Sequence, residues 1–380
     1  MAEALRLTRA GKLGAATRLI QSTLSASPQR HGMARSDASA ASAETMLRGL
    51  SAAPLALPAP GTKRQPDTRP KAQPKPGKAA RSPVAPGIGS FVEHEPAGQA
   101  GALGYALYLP ARPSRGLPLV VMLHGCSQTP ADFARGTGMN RLAEELGFIV
   151  VYPSQPVSAN IARCWNWFKP GDQKRDTGEP AQIAALTRQI VAEHDADASR
   201  VYVAGLSAGG AAAAILASAY PDVYAAVGIH SGLACGAATD MMSAFSAMRD
   251  GSRQTKHGNR TGRFVPVITF HGDSDSTVHA INSTHIVAHA AGQADRPLTI
   301  TQDRGDKLAG RTYTRARHST ADGDVQIEQW TVHGAGHAWS GGNAAGSYTD
   351  ASGPDASRAM VAFFLSHSLS VSAAEPGVSG

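Results

Sequence analysis

The chain has 380 residues and a formal net charge of +7, a length that allows one large α/β domain plus appendages. The positive excess is confined to residues 1–88, which hold 14 basic and 4 acidic residues against 22 and 25 in the rest. The remainder is therefore close to neutral, which disfavours a nucleic-acid-binding surface on it. No stretch of 18 apolar residues occurs, so no segment is predicted to span a membrane.

The basic N-terminal part divides into two predicted segments. Residues 1–24 alternate arginine and lysine with leucine and isoleucine, which predicts a short basic amphipathic helix. Such a helix either docks loosely on the protein or binds an interface such as a lipid or polymer granule surface. No apolar core of a secretory signal follows its early arginines. Residues 25–88, rich in Ala, Pro, Ser and Lys, are predicted to be a disordered linker.

A folded domain is predicted over residues 89–370, followed by a disordered tail over residues 371–380. Apolar runs and turn residues predict, in chain order, an antiparallel strand pair (90–94 and 105–109), strands at 117–123 and 148–152, helices around 140–146 and at 181–194, a strand at 201–204, a helix at 210–220, and strands at 223–229, 264–270 and 325–332. Alternating strands and helices imply a mostly parallel, twisted sheet covered on both faces, the α/β class.

The most informative motif is Gly-Leu-Ser-Ala-Gly at residues 205–209, between the strand at 201–204 and the helix at 210–220. A G-x-S-x-G turn from a strand into a helix is the nucleophile elbow of α/β-hydrolases, in which glycines permit the strained turn that exposes the serine. The motif alone is weak, because glycine and serine are common here. Ser207 is the predicted nucleophile, and it needs a base held by an acid.

The acid is expected after the serine along the chain, at the end of a strand. The strand at 264–270 leads into His-Gly-Asp-Ser-Asp at residues 271–275. Asp275 is the favoured acid, and Asp273 is expected to cap the turn through its side chain. Asp222, one residue past a proline that follows a helix, is a third candidate and is expected to have a capping role.

The base is expected after the last predicted strand, where residues 333–339 read His-Gly-Ala-Gly-His-Ala-Trp. His337 lies on a glycine-bearing loop that could reach the elbow, and it is the predicted base. His333, at the strand end, is expected to make a structural hydrogen bond. His230 and His271 are interpreted as structural or surface residues.

An oxyanion hole requires two donors. One is expected to be the backbone N–H of Ala208, and the other that of Cys126, with Ser127 as the alternative. His124, in the same loop, is expected to fix that loop through its ring. No zinc-ligand spacing, dinucleotide fingerprint or P-loop is present, so neither a metal nor a cofactor is predicted.

Five strings together resemble the poly(3-hydroxybutyrate) depolymerase family of esterases over roughly residues 90–368. They are His-Gly-Cys-Ser-Gln at 124–128, Cys-Trp-Asn-Trp-Phe at 164–168, Gly-Leu-Ser-Ala-Gly-Gly at 205–210, His-Gly-x-x-Asp-x-x-Val at 271–278 and Gly-His-Ala-Trp-Ser-Gly-Gly at 336–342. The second and last are much more specific than the elbow. The resemblance implies an α/β-hydrolase fold, a Ser207–Asp275–His337 triad without cofactor, and hydrolysis of short-chain polyhydroxyalkanoates.

The resemblance also implies a disulfide between Cys126 and Cys164. Trp165, Trp167 and Trp339 are candidates for lining an acyl groove, although core packing would explain each equally well. The family suggests an extracellular enzyme, whereas the N-terminus shows no signal peptide and no polymer-binding domain is visible. A cytoplasmic or granule-associated location, a feruloyl or acetylxylan-type carbohydrate esterase, and a non-catalytic granule-associated protein are the alternatives.

Overall fold

The structure is a computed structural model that describes residues 89–96, 102–112, 114–251, 263–306 and 310–369. These residues all belong to the second of the two units into which the chain divides, Ala79–Gly380. The predicted helix at 1–24, linker at 25–88 and tail at 371–380 lie outside the described residues and stay predictions.

The described strands are β1 (Ser90–His94), β2 (Tyr105–Leu109), β3 (Leu119–Leu123), β4 (Ile149–Pro153), β5 (Val201–Leu206), β6 (Ala226–His230), β7 (Val267–Gly272), β8 (Thr299–Asp306), β9 (Thr312–Ser319), β10 (Val325–Val332), β11 (Trp339–Ser340) and β12 (Thr349–Asp350). The described helices are α1 (Pro130–Thr137), α2 (Met139–Leu146), α3 (Gly178–Glu193), α4 (Ala208–Ala219), α5 (Met241–Asp250), α6 (Ile281–Gln293) and α7 (Ala356–Leu365), with a short 3₁₀ helix at Pro170–Gln173.

Ten strands form one sheet in the order β1-β2-β4-β3-β5-β6-β7-β10-β9-β8, and β11 and β12 form a small parallel pair. The six strands from β4 to β10 in this order are parallel, and the strands at both ends of the sheet are antiparallel. The α/β class and the mostly parallel sheet are thus confirmed. The five central strands β3, β4, β5, β6 and β7 are entirely buried, as their continuous apolar runs predict.

Two apolar cores lie on the two faces of the sheet. One contains side chains of α3, α4, α5 and α6, and the other contains side chains of α1, α2 and α7. The sheet is therefore covered by helices on both faces, which leaves its edges and loops as the places for a site.

The strands β8 and β9 were not predicted. They form an antiparallel hairpin that continues the sheet beyond β10. The strand β8 reads Thr-Ile-Thr-Gln-Asp-Arg-Gly-Asp and is mostly exposed, so it carries neither an apolar run nor a clean alternation. Backbone pairing with a neighbouring strand, rather than side-chain burial, holds it in place.

Candidate active site

The loops that carry the predicted site residues meet at one edge of the sheet. Leu123 at the end of β3 lies opposite Gly205 of β5, and Gly272 at the end of β7 lies opposite Val332 of β10. The carboxyl ends of parallel strands share one edge, where open α/β sheets place their ligand sites. The register therefore puts the loop after β3, the elbow and the two loops after β7 and β10 at the same edge.

The elbow serine has a left-handed backbone conformation that a non-glycine residue rarely adopts. Ser207 has φ 57° and ψ −118°, and its N–H donates to the carbonyl oxygen of His230 at 2.9 Å. A Cβ on Gly205 would collide with the backbone of Gly209, and one on Gly209 with the carbonyl oxygen of Leu123. Both glycines are therefore required for the close approach of β5, α4 and the loop after β3.

Asp275 and His337 form a direct hydrogen bond. His337 Nδ1 donates to Asp275 Oδ2 at 2.7 Å, and the backbone N–H groups of Thr277 and Val278 donate to Asp275 Oδ1 at 2.9 Å each. The Asp275 side chain is fully buried, whereas the His337 side chain is 12% exposed. The carboxylate thus fixes the orientation of the imidazole and leaves Nε2 on the opposite side of the ring.

The environment of Asp275 favours its ionised form. Burial alone would raise the pKa of Asp275, but the nearby His271 ring, the hydrogen bond from His337 and the charge of His337 outweigh it and hold the pKa well below its usual range. His271 Nε2 donates to the carbonyl oxygen of Val278 at 2.8 Å and lies 3.5 Å from Asp275 Oδ2. The Nδ1 atom of His271 is buried without a partner among the described residues.

His230 connects the elbow with the base loop. Its carbonyl oxygen accepts from Ser207, and its Nε2 accepts from the N–H of Ser340, three residues beyond His337, at 2.9 Å. Burial, followed by the charges of His271 and His337, lowers the pKa of His230 to about 3, so the ring is a neutral acceptor. Among the described residues, no hydrogen bond joins the Ser207 hydroxyl to His337.

The loop after β3 presents a free backbone donor at Cys126. The N–H of Ser127 donates to the carbonyl oxygen of Ala162 at 2.7 Å and is occupied. No atom of the described residues accepts from the N–H of Cys126 or from that of Ala208, the first residue of α4. An oxyanion hole requires free backbone donors. Of the two candidates in this loop, Cys126 therefore has the free N–H, and its role in an oxyanion hole stays a prediction.

Comparisons with known proteins identify the family of this chain. The family model described as "Esterase PHB depolymerase" matches residues 103–312, more than half of the chain. The chain belongs to this family. It is 35% identical over 240 residues to "Poly(3-hydroxyalkanoate) depolymerase C" of Paucimonas lemoignei, covering 60% of this chain and 57% of that protein. It is 32% identical over 188 residues to "Feruloyl esterase B" of Neurospora crassa, covering 45% of this chain and 63% of that protein.

The chain spans less than two thirds of the length of each of these two relatives. Among solved structures, "Acetyl xylan esterase from Aspergillus awamori" superposes with a TM-score of 0.55 at 22% identity. The match covers 66% of this chain and 94% of that one. This likeness shows that the chain shares the fold of that structure.

The other predicted acids and bases have different partners. Asp273 accepts from His333 Nδ1 at 2.9 Å and from the N–H of Gly334 at 2.7 Å, so these two residues form a separate, partly exposed pair. Asp222 binds the guanidinium of Arg175 through both carboxylate oxygens, at 2.6 and 3.0 Å. Asp222 thus pairs with an arginine from another loop, and the capping role expected of it stays a prediction.

The tryptophans lie deeper than an acyl groove requires. Trp165 is fully buried and donates from Nε1 to the carbonyl oxygen of His124 at 3.1 Å, and Trp339 is 1% exposed and donates to Ser357 Oγ at 3.0 Å. Their rings support the loops from inside the core, which corrects the expectation that they line a groove. Trp167 is 6% exposed and packs edge-on against Phe168, so its contact with substrate stays a prediction.

A disulfide joins Cys126 to Cys164, and Cys235 is a free, partly buried thiol. Over the described ranges no group of three His, Cys, Asp or Glu side chains is placed to hold a metal ion. Likewise, none of the helices described is both long and apolar enough to cross a bilayer.

Two residues that support the loop after β3 were not predicted from the sequence. Gln155 and Glu179 are buried beside the loop after β3 and hydrogen-bond to each other at 2.6 Å. A glutamate in the first turn of a helix is the ordinary sequence pattern, so nothing local distinguishes Glu179 from a solvent-exposed one. His230 was interpreted as structural or surface, and its link between the elbow and the base loop depends on contacts distant in sequence.

Proposed function

We propose that this protein is a serine esterase that hydrolyses the ester bonds of short-chain polyhydroxyalkanoates, poly(3-hydroxybutyrate) polymer or its oligomers. The observation that carries the proposal is the buried Asp275–His337 hydrogen bond at the sheet edge from which the strained Ser207 emerges. Family membership and the depolymerase relative support the ester class. The polyester substrate is the narrower part of the proposal.

In the proposed mechanism, His337 Nε2 takes the Ser207 proton as Oγ attacks the ester carbonyl. Asp275 holds the imidazole in the required tautomer and stabilises the imidazolium that forms. The N–H groups of Ala208 and Cys126 donate to the oxyanion. His337 then gives its proton to the leaving-group oxygen, which departs as the alcohol and leaves an acyl-enzyme. Water attacks the acyl carbon with His337 again acting as base, and return of the proton to Ser207 Oγ breaks the ester bond and releases the acid. The serine–histidine contact is often long in a free enzyme and shortens when substrate binds.

The test is the replacement Ser207→Ala. We expect turnover of a soluble p-nitrophenyl ester to fall by about 10⁴-fold or more, because the nucleophile and not the fold is lost. The control is Ser274→Ala, which removes a hydroxyl bonded only to Asp273. Near-normal turnover by Ser207→Ala would rule out the mechanism. A fluorophosphonate probe should label the native protein and not the Ser207→Ala variant, whereas a non-catalytic granule protein would not react at all.

A carbohydrate esterase is the second candidate, supported by the feruloyl esterase relative. Comparing hydroxybutyrate oligomers with feruloyl and acetyl esters distinguishes the two, and faster hydrolysis of the sugar esters would replace the polyester proposal. The Cys126–Cys164 disulfide supports an extracellular or otherwise oxidising location, because such bonds persist there. Contact of residues 1–24 with granules remains a prediction.

A further inference from the structure

Glu179, in the first turn of α3, is a buried carboxylate that neutral groups alone satisfy. Its Oε1 accepts from Gln155 Nε2 at 2.6 Å and from Asn166 Nδ2 at 2.5 Å, and its Oε2 accepts from the N–H of Asn166 at 2.7 Å. It is 8% exposed, and none of the salt bridges formed among the described residues includes it. Burying a carboxylate without a cation is costly, so a gain in stability alone does not account for it.

Both partners of Glu179 lead to the loop after β3. Gln155 donates from Nε2 to the carbonyl oxygen of Cys164 at 2.9 Å, and from its backbone N–H to His124 Nε2 at 3.2 Å. Trp165, between Cys164 and Asn166, donates to the carbonyl oxygen of His124. Cys164 is also linked to Cys126 by the disulfide. The carboxylate therefore bonds to Gln155 and Asn166, which belong to two segments that contact residues 124–126.

His124 connects these contacts with the N–H of Cys126. Its Nδ1 donates to the carbonyl oxygen of Gly125 at 2.8 Å, which orients the peptide that leads into Cys126. Burial lowers the pKa of His124 to about 4, so at neutral pH its Nε2 is a free acceptor for Gln155. The N–H of Gly125 donates to Gln128 Oε1 at 2.9 Å, which completes the support of the loop.

We infer that Glu179 is a positioning residue for the oxyanion hole, holding the N–H of Cys126 at the site of charge development through Gln155, Asn166 and His124. The inference rests on the proposed function. Loss of the carboxylate would loosen the donor without removing a hydrogen bond of Ser207 or His337. Because an oxyanion donor acts in the transition state, the loss should appear in kcat rather than in KM.

The decisive variant is Glu179→Gln in the full chain. The new amide nitrogen is a donor and must face other donors, either the N–H of Asn166 or the side-chain amides of Gln155 and Asn166. At least one hydrogen bond of the cluster is therefore replaced by a repulsive contact. We expect kcat on a soluble p-nitrophenyl ester to fall roughly 10- to 100-fold while KM stays within about 2-fold.

The matched control is Glu328→Gln. Glu328 on β10 is also partly buried and accepts from Trp330 Nε1 at 2.6 Å, but it has no contact with the loops around Cys126. We expect this variant to lower Tm and leave kcat unchanged. If Glu179→Gln likewise lowers only Tm, Glu179 is merely structural and the inference is overturned.

Gln155→Met, measured alone, keeps the inference falsifiable if Glu179→Gln folds poorly. It removes the next member of the path at similar volume and should itself lower kcat; where both variants fold, their effects on kcat should not add. Additive effects, or an unchanged kcat for Gln155→Met, would contradict a common path. If the native protein shows no Ser207-dependent esterase activity, the proposed function fails; if that activity is present and Glu179→Gln retains it, only this inference fails.

Discussion

Two aspartate–histidine pairs stand side by side in the sequence, and their surroundings separate them. The Asp275 carboxylate is fully buried and the His337 ring nearly so, whereas Asp273 and His333 are each 39% exposed. Asp275 also receives two backbone N–H bonds, which hold the carboxylate rigidly. Only the buried pair combines a fixed orientation with the low dielectric that strengthens its electrostatics.

This difference predicts opposite results for two equivalent substitutions. Asp275→Asn should lower kcat/KM on soluble esters by about 10⁴-fold, because the amide favours the wrong imidazole tautomer. Asp273→Asn should change kcat/KM by no more than a few fold, because Asp273 accepts hydrogen bonds from His333, Gly334 and Ser274 and none from His337. Steady-state kinetics of both variants checks the assignment, and a larger loss for Asp273→Asn would reverse it.

At the scale of single elements, α5 is unusual because its large apolar side chains face outward. Met241, Met242 and Phe245 are 50%, 76% and 60% exposed, while Ala244 and Ala247 are buried. The helix follows β6 at the carboxyl edge, and its end accepts hydrogen bonds from His279 N and Asn282 Nδ2, just beyond Asp275. Under the proposed function, this exposed apolar face suits a solid polyester surface better than a hydrated polysaccharide.

We therefore expect Met242→Ser/Phe245→Ser to reduce adsorption to poly(3-hydroxybutyrate) particles and the rate of their hydrolysis, because less apolar area is removed from water on contact. Turnover of a soluble ester should not change. Ile300→Ser on β8, which alters a side chain that is 62% exposed on the antiparallel end of the sheet, is the control. Adsorption measured by depletion from solution checks this, and equal loss in the control would point to nonspecific adsorption.

At the scale of the whole molecule, buried neutral histidines couple stability to pH. Burial lowers the pKa of His124 to about 4 and that of His230 to about 3, against about 6.5 in an unfolded chain. The unfolded state therefore binds more protons below pH 6.5. Above that pH the neutral rings add to the free energy of unfolding. This contribution is lost as the pH falls towards 4.

We expect Tm to drop steeply between pH 6.5 and pH 4, with each histidine contributing on the order of 3 kcal/mol to the loss. Thermal unfolding followed by circular dichroism across this range measures the slope. A Tm that stays constant down to pH 4.5 would contradict this account.

The central strands, the elbow and the order of serine, acid and base could be predicted because their signals are local: apolar runs, turn glycines and residues directly after strands. The pairing of Asp275 with His337, 62 residues apart, depends on which loops the register brings together. The burial of Trp165 and Trp339, the hairpin of β8 and β9, and the anchoring by Glu179 likewise depend on neighbours distant in the chain. Burial and hydrogen-bond partners are properties of the packed molecule, so no local pattern could reveal them.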